Sequence, residues 1–65
     1  MELLTKYGIT LHRRFHPMLT DYHYEVKKDG ILIHVTGRNE DPLMVEREAE
    51  LWAIDFIKKT QRHEY

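Results

Sequence analysis

Cysteine and serine are both absent from this 65-residue chain, and glycine and proline are scarce, with three and two residues. Without cysteine, the chain forms neither disulfide bonds nor the thiolate zinc sites that stabilise many small domains. The two commonest side-chain nucleophiles are missing, and Gly8, Gly30 and Gly37 lie too far apart for a phosphate-binding loop. No apolar stretch approaches the roughly 20 residues of a membrane-spanning helix or resembles a signal peptide. We therefore expect a soluble, cytoplasmic protein that is not an enzyme, needs no cofactor and does not contact membranes.

The composition that remains is typical of a single folded domain over residues 1–65. Hydrophobic residues make up 42% and charged residues 32%, with a formal net charge of −1. A core this small rarely supplies more than about 3–5 kcal/mol. Close packing, a histidine–carboxylate metal site or a partner subunit is therefore expected to stabilise it. Residues 1–38 carry six basic and four acidic side chains, whereas residues 39–65 carry four basic and seven acidic ones.

Two alternating segments on either side of Asp29–Gly30 predict a β-hairpin. An Asp-Gly pair favours a two-residue turn because both central residues need positive φ. Counting back from this turn, Val26 should face Ile33 and Tyr24 should face Val35 on the core side of the sheet.

A third alternating segment, residues 9–16, predicts a first strand with Phe15 opposite Tyr22. The preceding residues 1–8 have two interpretations. They form a short helical turn that ends at Gly8, or they extend the first strand.

Residues 42–61 predict one long amphipathic helix, with Asp41 as N-cap and Pro42 in the first helical position. One stripe of the helix should cover the sheet, and it comprises Val45, Ala49, Trp52, Ala53, Phe56 and Ile57. The predicted fold is therefore α+β, a three-stranded antiparallel sheet packed on one long C-terminal helix (βββα).

A second set of large apolar residues falls on the opposite side of this helix. The set, with the two basic residues that interrupt it, is Leu43, Met44, Arg47, Leu51, Ile54 and Lys58. Several large aliphatic residues exposed together usually mark an interaction surface. Three coverings are possible: the chain's own Leu3, Leu4 and Tyr7, a second copy of the chain, or a larger protein. We predict a binding or regulatory module that acts by stoichiometric contact, a homodimer through this helix, of the kind found among small phage-type or host inhibitors.

The outer face of the predicted sheet carries a second candidate binding surface, which comprises His12, Arg14, His16, His23, Glu25, Lys27 and His34. The predicted registers align His12, Glu25 and His34 in one row. Two imidazoles and a carboxylate can hold a divalent metal, but no HxH or HExxH spacing accompanies them, so no metal site is predicted. A solvated face with cross-strand charge pairing is the plainer interpretation.

Nucleic-acid binding through this face is the alternative function, because arginine, lysine and histidine side chains can contact phosphates. The order of elements resembles that of double-stranded-RNA-binding domains. Those domains open their last helix with a lysine cluster, whereas residues 45–48 read Val-Glu-Arg-Glu here. This departure and the slightly acidic net charge weigh against RNA-duplex binding.

Overall fold

Five elements follow one another in the computed structural model, which describes residues 2–61. They are α1 (Glu2–Lys6), β1 (Ile9–His16), β2 (Asp21–Lys28), β3 (Ile31–Val35) and α2 (Pro42–Gln61). The strands form one open antiparallel sheet in the order β1-β2-β3, which confirms the predicted βββα fold. The opening residues adopt the helical alternative. Neither helix, over the described residues, is long and apolar enough to cross a membrane.

The hairpin turn between β2 and β3 has the predicted chemistry. Asp29 has a φ of 51° and Gly30 a φ of 84°, as a turn with two positive central residues requires. The turn also holds the connection between α1 and β1, because the Asp29 amide donates to the Gly8 carbonyl at 2.9 Å. Gly8 itself has a φ of +74°, and a Cβ there would lie 2.2 Å from Asp29 Oδ1. Glycine thus allows both the left-handed backbone and the close approach.

The register between β1 and β2 is the predicted one. Phe15 pairs with Tyr22, and their rings lie 5.0 Å apart between centroids. Alternate residues of β1 therefore lie on the same face of the sheet as their partners in β2 over the whole length of the pairing.

The register between β2 and β3 is only partly the predicted one. Next to the turn, Lys28 pairs with Ile31 as expected, but the register shifts between Val26 and Lys27. Beyond the shift, Val26 pairs with His34 instead of Ile33. The reason is one extra residue in β3, a β-bulge, which exchanges the two faces of the strand after it.

Thr36 takes the core position that was predicted for Val35. Its side chain is 5% exposed, whereas Val35 is 46% exposed and lies opposite Glu25. The Thr36 amide donates to the Tyr24 carbonyl, and the Tyr24 amide donates to Thr36 Oγ1, both at 2.9 Å. A hydroxyl group thus satisfies a buried backbone donor that lies beyond the last pair of β2 and β3.

The helix α2 begins as predicted, with Asp41 Oδ1 accepting a hydrogen bond from the Leu43 amide at 3.0 Å. The predicted core stripe is also confirmed. Its four aliphatic residues are buried, and its two aromatic residues are partly buried against them. The core as a whole comprises Leu4, Ile9, Tyr24, Val26, Val45, Ala49, Ala53 and Ile57. Because two of the helical core residues are alanines, the helix can lie close to the sheet.

Candidate functional site

The face of α2 that points away from the sheet is the first candidate surface. At about 100° per residue, Leu51 lies opposite the midpoint between the buried Ala49 and Ala53. We call the residues within about 40° of Leu51 the outer face of α2. They are Met44, Arg47, Leu51, Asp55 and Lys58.

Large apolar side chains on and beside this face are open to solvent. The exposed fractions are 65% for Leu43, 57% for Met44 and 61% for Leu51, as predicted for the second apolar set. Ile54 differs, because it is partly buried and packs against the edge of the core. The apolar part of the surface is therefore narrower than the spacing indicated. Leu43 and Met44 lie in the first turn of α2, and Leu51 lies about two turns further along.

Residues 3–8 do not cover the outer face of α2. Leu4 is buried in the core, and α1 contacts β1. Tyr7 lies at the C-terminal end of α2, where its hydroxyl accepts a hydrogen bond from Gln61 Nε2. Because Leu51 remains exposed, the described part of the N-terminal segment does not shelter it.

Carboxylates attach one flank of α2 to the sheet and the other flank to the loop after β3. On one flank, Glu46 Oε2 accepts a hydrogen bond from the Tyr24 hydroxyl at 3.1 Å, and the same hydroxyl accepts from Arg13 Nε at 3.1 Å. On the other flank, Glu48 Oε2 accepts from the Gly37 amide at 3.1 Å. These contacts fix the rotation of the helix, so the outer face is held in one orientation.

The outer face of the sheet is the second candidate surface, and six of its seven predicted residues lie on it. The register between β1 and β2 places together His12, Arg14, His16, His23, Glu25 and Lys27.

His34 is the exception, and its predicted place was wrong. It lies on the side of the sheet that faces the helix, where its ring stacks on Trp52 at 4.2 Å with an interplanar angle of 2°. The bulge in β3 is the reason, since it turns His34 towards the core side. The predicted row of His12, Glu25 and His34 therefore does not exist. Within residues 2–61, no three histidine or carboxylate side chains are grouped as a metal site would require.

Glu25 lies among basic groups in the middle of the sheet's outer face. Arg14 Nη2 is 3.2 Å from Glu25 Oε1, and His23 Nε2 is 3.6 Å from Oε2. His16 Nε2 in turn lies 2.6 Å from His23 Nδ1, with the two rings stacked. Burial is the largest single influence on the pKa of Glu25 and raises it, but the hydrogen bond and charge of Arg14, with His23 and Lys27, outweigh it and hold the pKa below its ordinary value.

The two candidate surfaces offer charged and apolar side chains for contact with a partner. The described part of the chain has no cavity that could enclose a small ligand. On the sheet, one ion pair joins two strands, from Arg14 of β1 to Glu25 of β2, and His23 approaches the same carboxylate from within β2. On the helix, an apolar centre is bordered by charged residues of both signs.

Two contributors to these surfaces were missed in the sequence. Asp55 belongs to the outer face of α2, and its spacing of four residues from Leu51 was a sufficient signal. The exposed Val35 adds an apolar side chain to the outer face of the sheet. Nothing in the alternation of β3 indicated it, because the bulge interrupts the pattern.

Comparison with protein-family models finds no match, and searches of curated proteins and of solved structures find no significant one.

Proposed function

We propose that this chain is a small, non-enzymatic binding module that acts by stoichiometric protein–protein contact and forms a homodimer through the outer face of α2. One observation carries the proposal. Leu51 is 61% exposed at the centre of that face, and the exposed Met44 and Leu43 lie about two turns before it on the same helix. Large aliphatic side chains grouped on a rigid helix favour a partner, since water is a poor environment for them.

The size of the core supports a second copy as that partner. A domain of 65 residues without cysteine lacks the usual cross-links. Burying one leucine or methionine side chain contributes about 1.5–3 kcal/mol at most. Association that involves only the folded chain also stabilises the fold in proportion to its concentration. A regulatory or inhibitory role, exerted by contact on a larger protein, is compatible with these properties.

Nucleic-acid binding through the sheet has weaker support. Arg14 is already paired with Glu25, and this carboxylate lies in the middle of the face that phosphates would have to approach. Retention on heparin that falls steeply with salt would favour nucleic-acid binding over our proposal, because phosphate-like contacts release counterions.

Analytical ultracentrifugation over a range of concentrations tests the homodimer. We expect the wild-type mass to approach that of two chains as the concentration rises, and Leu51→Glu to remain a monomer. Leu51 lies outside the core, so the variant should keep its circular dichroism spectrum.

Leu32→Glu is the matched control, because Leu32 is 51% exposed on the sheet rather than on α2. It should dimerise like the wild type. A wild-type chain that stays monomeric up to about 1 mM, where even contacts worth only about 4 kcal/mol become visible, would overturn the homodimer.

A further inference from the structure

The outer face of α2 has charges of opposite sign at equal distances on either side of Leu51. Arg47 lies four residues before it and Asp55 four residues after it. Seven residues before it lies the apolar Met44, and seven residues after it lies Lys58. A two-fold axis through Leu51 would therefore bring unlike groups together along an antiparallel pair of helices.

We infer, building on the proposed homodimer, that the second copy packs its α2 antiparallel to the first, with Leu51 on the two-fold axis. In this arrangement a residue at a given distance before Leu51 meets the residue at the same distance after it in the other copy. Arg47 of each protomer then meets Asp55 of the other, and the two symmetric ion pairs border a contact between the two Leu51 side chains.

The parallel arrangement is disfavoured by the same charges. It would place Arg47 against Arg47, Asp55 against Asp55 and Lys58 against Lys58. Like charges that face each other across an interface are destabilising. The antiparallel pairing replaces each of these repulsions with an attraction or with a contact to an apolar side chain.

The side chains that would take part are available for these contacts. Arg47 and Lys58 are exposed. Asp55 Oδ2 is 3.0 Å from Lys59 Nζ in an exposed pair along the helix, which contributes little by itself, and the carboxylate has a second oxygen. The aliphatic part of Lys58 can cover Met44 while its ammonium group stays in water.

The length of the contact sets the expected strength. From Met44 to Lys58 the helix extends for about 21 Å, so the interface is at the small end of the range for specific complexes. We therefore expect a dissociation constant in about the micromolar range, and a marked dependence on the two ion pairs.

Charge reversal tests the pairing. Arg47→Glu and Asp55→Arg should each raise the dissociation constant about tenfold or more, because each turns two attractions into two repulsions. The double variant Arg47→Glu/Asp55→Arg should return to within about threefold of the wild type, since both pairs are restored with reversed sign.

Wild type and double variant, each with a different fluorophore, should not form mixed dimers, because both of their contacts would join like charges.

The outcomes separate this inference from the proposed homodimer. If Leu51→Glu dissociates the dimer but the double variant does not recover, the antiparallel pairing is overturned while the homodimer through α2 stands. Efficient mixed dimers would overturn the pairing in the same way. A wild-type chain that is monomeric throughout overturns both. Should a reversal variant fail to fold, Arg47→Gln and Asp55→Asn test the same contacts, with an expected weakening of about threefold each.

Discussion

At the scale of single residues, Glu25 determines the character of the sheet's outer face. Its carboxylate lies within 3.2 Å of Arg14 and 3.6 Å of His23. The sequence predicted His12 as the neighbour of Glu25 in β1, and these two residues are paired, but the charged contacts of Glu25 are with Arg14 and His23. It did not predict Val35 as the third neighbour, because the bulge exchanged Val35 with His34.

Replacement of Glu25 by glutamine should change how stability depends on pH. Burial opposes ionisation of Glu25, but Arg14 and His23 outweigh burial, so its pKa is lower when folded than the ordinary value of 4.5. A lowered folded pKa contributes stability above pH 4.5, and that stability is lost as the pH falls through the folded pKa. Urea unfolding should therefore show that wild type is more stable than Glu25→Gln at pH 6 and that the difference narrows by about pH 3.

Glu40→Gln is the control, since Glu40 is exposed in the loop before α2. A gap between wild type and Glu25→Gln that stays constant from pH 6 to 3 would contradict the pairing of Glu25 with these basic groups.

At the scale of elements, β3 is where sequence and structure diverge. The Asp29–Gly30 turn was predictable because it depends on two residues. The bulge was not predictable, because the pattern of apolar and polar residues in β3 is the same whether or not Ile33 is the extra residue. Its advantage appears only in the folded chain, where His34 stacks on Trp52 and the Thr36 hydroxyl accepts the Tyr24 amide.

Thr36→Val should destabilise the protein by about 1–3 kcal/mol, since it keeps the shape of the side chain but leaves the buried Tyr24 amide without an acceptor. Thr10→Val is the matched control on an exposed position of β1, with an expected change within about 0.5 kcal/mol. Chemical unfolding of both variants measures the difference. Equal effects of the two substitutions would show that the hydrogen bond from the Tyr24 amide to the Thr36 hydroxyl does not stabilise the fold.

At the scale of the whole molecule, Tyr24 joins three elements. Its ring is buried in the core of the sheet, and its hydroxyl connects Arg13 of β1 to Glu46 of α2. This contact and the bond from Gly37 to Glu48 hold the helix from both flanks. The orientation of the proposed dimer surface therefore depends on polar contacts that lie some distance from it.

Tyr24→Phe should lower the free energy of unfolding by about 1–2 kcal/mol, because both hydrogen bonds of the hydroxyl involve a charged partner. In a domain of about 3–5 kcal/mol this would be a large fraction of the total. Tyr22→Phe is the control, since the Tyr22 hydroxyl makes no hydrogen bond within residues 2–61. If thermal unfolding gives equal midpoints for the two variants, the Tyr24 hydroxyl does not hold the helix.

The sequence by itself determined the order of the three strands and α2, the hairpin turn, the cap of α2 and the two sides of that helix. Each of these features depends on residues that are close together in the sequence, so local spacing is sufficient to predict it. Only the tertiary structure decided which residues of β3 face the core, that Ile54 packs against the core and that residues 3–8 leave Leu51 exposed. These features depend on how the sheet and the helix fill the space between them, and close packing across distant segments has no signature in local spacing.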